Sequence, residues 1–245
     1  MAGFINRWIC KIKEGVDLNV DRIKKFDGHF WVEDGQKYKL GRLIKLNPEV
    51  QSPDGGIILS GKLYFNWEDE IEDYEILENG TLQGGKQIVR RMSILPFWIS
   101  IDQRLICFPN SKTYTKIGMR RLSELFFQDS YAIKPVKFNI YAIEKAWKNG
   151  EFSVWAYYFR ERQGSVDKGI HYGEDINLND PLYQETATAP KNFIGIKLVI
   201  GDEEVKIRIT RDGSLTIYSS IFNELQQQLE LFRLIGDLLK YTIIE

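Results

Sequence analysis

The chain has 245 residues, of which 43% are hydrophobic and 13% aromatic, and its formal net charge is −1. Apolar content at that level supplies a packed core and excludes a disordered chain. So even a charge balance also excludes a uniformly basic nucleic-acid coat, and any affinity for an anionic polymer must come from a local patch.

Cys10 and Cys107 are the two cysteines. Two thiols so far apart make neither a disulfide framework nor a cysteine-based metal site, and they read as inert thiols in a reducing cytosol. Residues 1–8 lack the apolar core of a secretion signal, and no apolar run approaches a bilayer span. The expectation is a soluble, cytoplasmic protein with no membrane partner.

Four dipeptides suit tight hairpin turns, because both central residues of such turns take positive φ: Asp34-Gly35, Asn79-Gly80, Asn149-Gly150 and Asp212-Gly213. Strand-like residues 30–32 and 38–40 flank the first, and residues 47–56 read as a plain surface loop. Residues 74–77 and the run toward Ile88 flank the second. Val136, Phe138 and Ile140 alternate with polar residues before the third, and the β-forming residues 152–159 follow it. A helix over residues 140–147 capped by Gly150 competes with the strand reading there. Residues 164–191 carry no clear period and read as a long loop that is functional, disordered or hides a short element. Around the fourth, Val205, Ile207 and Ile209 alternate with Lys206, Arg208 and Thr210, and Leu215 and Ile217 continue the period of two. That pattern is a half-buried antiparallel hairpin with one wet face.

Two segments carry helical periodicity. Thr115 caps the first, in which Met119, Leu122, Leu125 and Phe126 form the apolar stripe. The second covers residues 221–241, with Phe222, Leu225, Leu229, Phe232, Ile235, Leu238 and Leu239 on one side. Each helix follows a strand–turn–strand unit with the same hydrophobic order, Ile99 and Ile101 against Ile207 and Ile209, and Leu105 against Leu215. An internal duplication would produce this match, and so would two independent hairpin–helix units. Together the elements predict an α+β fold, an antiparallel sheet built from β-hairpins with helices packed on one face. Its two lobes are residues 1–128 and 129–245. The layout is compatible with saddle-like folds that lay a sheet on DNA, an architectural analogy that assigns no function.

Most catalytic chemistries lack their residues. His29 and His171 are the only histidines, no serine sits in a nucleophile elbow, and Cys107 lies in an apolar strand. His171 reads as a solvated loop residue. Gly84-Gly85-Lys86 lacks the spacing and the following helix of a phosphate loop. Glu204-Val205-Lys206, with Asp180 and Asp202 upstream, has the acid-x-lysine form found in metal-dependent nucleases, though a solvated charged strand face has the same form.

Charge is the sharpest signal. Residues 64–78 hold seven acids and no base, whereas residues 79–123 hold eight Lys/Arg and Asp102 alone. The two runs around Asn79-Gly80 form one hairpin, so cross-strand neutralisation accounts for part of the asymmetry. The remaining cations, interleaved with Phe97, Trp98, Phe108 and Tyr114, suit a nucleic-acid surface. The leading expectation is a non-enzymatic DNA- or RNA-binding protein acting through Arg90, Arg104, Lys112, Lys116, Arg120 and Arg121, echoed by Lys206 and Arg208, with no cofactor and no metal. The alternatives are a protein-interaction subunit of a larger assembly or homo-oligomer, and a metal-dependent nuclease using Glu204 and Lys206.

Overall fold

Short apolar–polar alternations punctuated by glycine turns give strands that pair with their neighbours in the chain. The structure, a computed structural model, describes residues 5–51, 55–109, 112–160, 168–200, 203–218 and 225–243. Its strands are β1 (Ile5–Ile12), β2 (Phe30–Asp34), β3 (Lys39–Leu46), β4 (Val50–Gln51), β5 (Ile57–Ile76), β6 (Leu82–Ser100), β7 (Leu105–Phe108), β8 (Ile133–Pro135), β9 (Ser153–Arg160), β10 (Lys168–Tyr172), β11 (Lys191–Ile200), β12 (Glu203–Thr210) and β13 (Ser214–Tyr218). The helices are α1 (Val20–Lys24), α2 (Lys112–Leu122), α3 (Ile140–Lys148), α4 (Pro181–Thr186) and α5 (Leu225–Leu238). A π-helical turn, Ser123–Phe127, continues α2, and a 3-10 turn, Leu239–Tyr241, ends α5.

All thirteen strands join one antiparallel sheet in the order β10-β9-β11-β12-β13-β1-β7-β6-β5-β3-β2, with β4 beside β5 and β8 beside β1. β1 therefore separates a C-terminal half-sheet (β13, β12, β11, β9, β10) from an N-terminal one (β7, β6, β5, β3, β2). Side chains alternate across a strand, and the two halves use opposite faces. Ile5 and Ile9 of β1 pack with Leu215, Ile217, Ile207 and Ile209, beneath α3 and α5. Cys10 and Ile12 pack with Ile106, Phe108, Phe97 and Leu63, beneath α2 and the π-helical turn.

This corrects the expected fold class. The described residues are mainly antiparallel sheet, 50% strand and 23% helix, with five short helices among them. The fold is not an α+β layer of helices on one face of a sheet. The helices flank the two half-sheets on opposite sides, because β1 turns alternate residues to each core. No helix among the described residues is long and apolar enough to cross a membrane.

Local expectations fared unevenly. Three hairpins stand at Asp34-Gly35, Asn79-Gly80 and Asp212-Gly213, although β12 and β13 pair with each other across the last. The third dipeptide ends a helix. Asn139 caps α3 by accepting from the Ala142 amide, and Gly150 takes φ +80° just beyond the C-cap, which is the left-handed stop a helix end favours. The helical reading of residues 140–147 replaces the strand reading. Residues 47–56 include β4, and the described part of residues 164–191 contains β10 and α4. α4 starts where Asp180 accepts from the Leu182 and Tyr183 amides. Thr115 is no cap: α2 begins at Lys112, and Thr115 is buried within it. Ile221 and Phe222 lie outside the described residues, and α5 spans the described remainder of the second predicted helix.

Gly213 shows how tightly the halves meet at β1. It takes φ +92°, its carbonyl accepts from the Ile9 amide at 2.9 Å, and a Cβ there would lie 2.2 Å from the Val136 carbonyl oxygen. Gly80 has a similar φ of +77° with nothing within 4 Å. Gly80→Ala is expected to cost about 1 kcal/mol in urea denaturation and Gly213→Ala more than about 2 kcal/mol. Equal losses would show that conformational strain alone, and not the backbone clash, sets the cost at Gly213.

Candidate nucleic-acid interface

The predicted basic residues are scattered, and most are engaged. Arg90 faces Glu68 across the β5–β6 ribbon and lies 5.8 Å from the Tyr38 ring. Its neighbours pair along the ribbon, Lys86 with Glu70 at 2.5 Å and Arg91 with Asp69 at 2.7 Å. Arg104 takes φ +53° and donates through Nη2 to the Lys13 and Val16 carbonyls at 2.7 Å each, clasping the segment after β1. Lys112 pairs with Asp212. Arg120 meets Glu124 at 3.0 Å, and Arg121 meets Glu33 at 2.5 Å. Lys116 is exposed on α2. The acidic run is also partly structural: the Glu68 carboxylate accepts from the Gln36, Lys37 and Tyr38 amides at 2.7, 2.6 and 2.7 Å. Those amides, Lys37 and Tyr38 foremost, hold its carboxyl below the usual carboxylate range.

Lys206 and Arg208 are brought together. They project from the face of the C-terminal half-sheet opposite α3 and α5, while Val205, Ile207 and Ile209 point into the core. Two β-bulges load that face with aromatic rings. In β9 the register steps from Gly195↔Ala156 to Ile196↔Val154, which leaves Trp155 as the extra residue. Val154 and Tyr157 are both buried in the core, so Trp155 is turned outward. In β11 the register steps between Lys191 and Phe193, so Lys191 reaches the interior and Phe193 the open face. Re-aiming one side chain is what a bulge does. Gly195 makes room for the indole: a Cβ there would lie 2.7 Å from Trp155 Cε2.

The result is a surface of rings and cations. Tyr158 and Phe193 stack at 5.9 Å, Trp155 and Tyr172 at 6.1 Å, and Tyr218 meets Trp155 edge-on at 5.2 Å. Lys206 lies 6.0 Å from the Trp155 ring, Arg208 5.6 Å from Phe193 and Arg160 5.5 Å from Tyr158. Arg208 is steadied by Thr216 Oγ1, to which it donates at 3.0 Å, and Thr216 donates to Asn6 Oδ1 at 2.7 Å. Among the described residues no ion pair joins Lys206, Arg208 or Arg160 to an acid. Lys197, the fourth cation here, is held by Asp175 at 3.2 Å and Glu204 at 3.4 Å. Such a surface can take an anionic polymer by charge and flat, unsaturated rings by stacking.

Residue order alone missed the aromatic part of this face. In an unbroken strand Trp155 and Tyr157 would share a side, and only the bulge separates them. The signal that could have found it is Gly195, the one side-chain-free position on the outer row of β11.

The other candidate chemistries are not assembled. Glu204 is tied to Lys197, Asp180 caps α4, and Asp202 lies outside the described residues. Among the described residues no group of three His, Cys, Asp or Glu side chains could hold a metal. His171 is not a solvated loop residue. It sits on β10 opposite Tyr157, with Nδ1 3.0 Å from the Tyr157 hydroxyl and Nε2 3.8 Å from Asp180. Beside it Lys191 and Glu144 pair at 3.2 Å, and the Tyr183 hydroxyl donates to Glu144 at 2.6 Å. Burial pulls the Lys191 ammonium down against the opposing pull of Glu144, and burial first, then Glu144, pushes the Tyr183 hydroxyl up. Each of these groups has its partner inside the core, as buried polar groups require.

Both cysteines are buried. Burial pushes the Cys107 thiol up to about 12, with the Arg7 guanidinium pulling the other way, and burial also raises Cys10. Neither thiol should therefore react with a thiol-specific chromogenic reagent in the native protein at pH 8, and both should react in denaturant. Rapid reaction of one thiol in the native state would reopen cysteine chemistry.

Compared with known proteins, the chain matches no family model and no curated protein.

Proposed function

We propose that the protein binds single-stranded nucleic acid across the open face of its C-terminal half-sheet and performs no chemistry on it. The observation that carries this reading is the set of three cations, Lys206, Arg208 and Arg160, each set against an aromatic ring and free of acid partners among the described residues. Phosphates would meet the cations, and unpaired bases would meet Trp155, Tyr158, Phe193, Tyr172 and Tyr218. A duplex buries its base faces in its own stack, so it could use the cations and not the rings. The stacking contribution of about 1–3 kcal/mol per base then favours the single strand.

The test is fluorescence anisotropy with labelled single-stranded DNA and RNA longer than about 16 nucleotides, titrated at several salt concentrations. Neutralising two or three phosphates predicts a slope of log affinity against log salt of about −1.4 to −2. Lys206→Glu with Arg208→Glu should lower affinity more than tenfold at low salt. Trp155→Ala should lower it by about five- to a hundredfold with little change in the salt slope. Absence of binding to every single strand at low salt would sink the reading.

A second reading, docking within a larger assembly, is favoured by the other uncovered face. Phe30, Leu43, Tyr64 and Ile94 are cross-strand neighbours in one row of the N-terminal half-sheet, beside Val32 and Met92. Phe30 is 61% exposed and Met92 66%, and exposed apolar neighbours of this kind mark interaction surfaces. Under this reading the native protein co-purifies with a stoichiometric partner that Met92→Glu with Phe30→Glu releases. Recovery of the chain alone from gentle native purification counts against it.

A further inference from the structure

Beyond Phe65 the two longest strands pair only with each other, and beyond Asp69 they run on as a ribbon. Seven consecutive pairs, Glu70↔Ile88 to Ile76↔Leu82, have only each other as strand partners. At about 3.3 Å per residue the ribbon is about 23 Å long. Residues 70–88 carry five acids, Glu70, Glu72, Asp73, Glu75 and Glu78, against Lys86 alone. Lys86 is spent on Glu70, so among the described residues the other four carboxylates have no cationic partner. One side of the ribbon also ends in Tyr74, Ile76 and Leu82, exposed by 60, 75 and 69%. An unshielded two-stranded element with apolar side chains at its end is a surface that normally has a partner.

We infer that the ribbon of one copy docks on the open aromatic face of a second copy of this chain and competes there with nucleic acid. The two surfaces are complementary in both charge and chemistry. Glu72 lies on the same side of the ribbon as Tyr74, Ile76 and Leu82 and matches Lys206, Arg208 and Arg160. Those three side chains match the rings of Trp155, Tyr172 and Tyr218, and Asp73 and Glu75 on the opposite side add only to the ribbon's net negative charge. Two ribbons cannot pair with each other at comparable gain, because their carboxylates repel. A copy cannot use its own face, since β7, β1 and β13 separate β6 from β12 and the ribbon continues along the β5–β6 direction. A docked ribbon makes the face self-protecting: it is covered when the protein is concentrated and nucleic acid is scarce, and uncovered when single strands displace the ribbon.

The inference rests on the open face being the anion-binding surface, and its test needs no nucleic acid, so the two can fail separately. Sedimentation velocity over a concentration series at low salt should show mass-action growth beyond the monomer, reversing to monomer at high salt. Glu72→Lys with Glu75→Lys should leave a monomer, and so should Lys206→Glu with Arg208→Glu. Mixing these two proteins should restore association, because the unaltered acidic ribbon of the face variant then meets the unaltered basic face of the ribbon variant. This mixing arm also guards against variants that merely misfold. A wild type that stays monomeric at every concentration overturns the inference, as does association that survives either reversal, or a mixture that stays monomeric. Association that behaves as expected while anisotropy shows no oligonucleotide binding leaves the docking in place and removes the nucleic-acid reading.

Discussion

Between Ile9 and Ile12 the central strand has almost no contact with water: Ile9, Cys10 and Ile12 are fully buried and only Lys11 is exposed. A strand in an antiparallel sheet usually gives one side to the core and the other to solvent. β1 instead gives alternate residues to two cores on opposite faces, and the rest of the architecture follows from that. Ile9 lies beneath α5 and Ile106, the neighbour of Cys10, beneath α2, so the two half-sheets are covered on opposite sides, and only near β1, at buried residues of β7 and at Ile58, does the N-terminal half-sheet feed both cores. Two faces are left bare, one per half, looking in opposite directions. The molecule's two candidate interaction surfaces are consequences of how one strand is shared.

The bare faces are not alike, and the difference is local. In the N-terminal half the register from Phe30 through Leu43, Tyr64 and Ile94 is regular, so the outward row is whatever alternation leaves there, chiefly apolar. In the C-terminal half, bulges at Trp155 and beside Phe193 break the alternation. Each costs a ladder hydrogen bond and exposes a large ring. A core built only for stability would have no reason to do this, since Trp155 buried beside Tyr157 would gain more than it does half-exposed over Gly195. The same bulge at Asn192 sends Lys191 into the interior, where Glu144 must accompany it. Exposing Phe193 therefore entails burying an ion pair, which is rarely a net stabiliser.

Much of this order is legible in the amino-acid sequence, and the remainder fails for identifiable reasons. Hairpins at Asn79-Gly80 and Asp212-Gly213 follow from turn chemistry and period-two alternation, both local properties. Residues 140–147 satisfy both periods, because Val136, Phe138 and Ile140 alternate while Ile140, Ile143 and Trp147 recur helically. The Asn139 cap and Gly150 stop decide between them, and both are visible in the chain. The side on which a helix packs is not visible, because it depends on which strands meet at β1, a pairing between residues more than 200 positions apart. His171 eluded a local reading for the same reason: β10 is short, and its pairing with Tyr157 comes from β9 and not from its own neighbours. Of the candidate site, the cations of β12 could be read from alternation. The rings of β9 and β11 could not be read from alternation, because a bulge changes the face of every residue beyond it, and Gly195 is the one mark that it leaves.

Charge illustrates the same distinction between order in the chain and position in space. The most basic stretch, residues 79–123, and the most acidic, residues 64–78, attract attention because they are runs. Folding turns runs into neighbours: a hairpin sets Asp69 and Glu70 beside Arg91 and Lys86, and helix spacing sets Arg120 beside Glu124. A cation already paired offers little to a new anion, since binding must first break the existing contact. What counts is the charge left uncompensated after folding. By that measure the two ends of the molecule carry opposite surpluses, carboxylates on the outer ribbon and guanidinium and ammonium groups on the C-terminal face. The acidic surplus lies within the acidic run, but the basic surplus lies outside the basic one. Lys206 and Arg208 stand beside two acids in sequence, Glu203 and Glu204. Lys197, reaching across from β11, takes up Glu204. The pairing of one strand therefore leaves the cations of the next available.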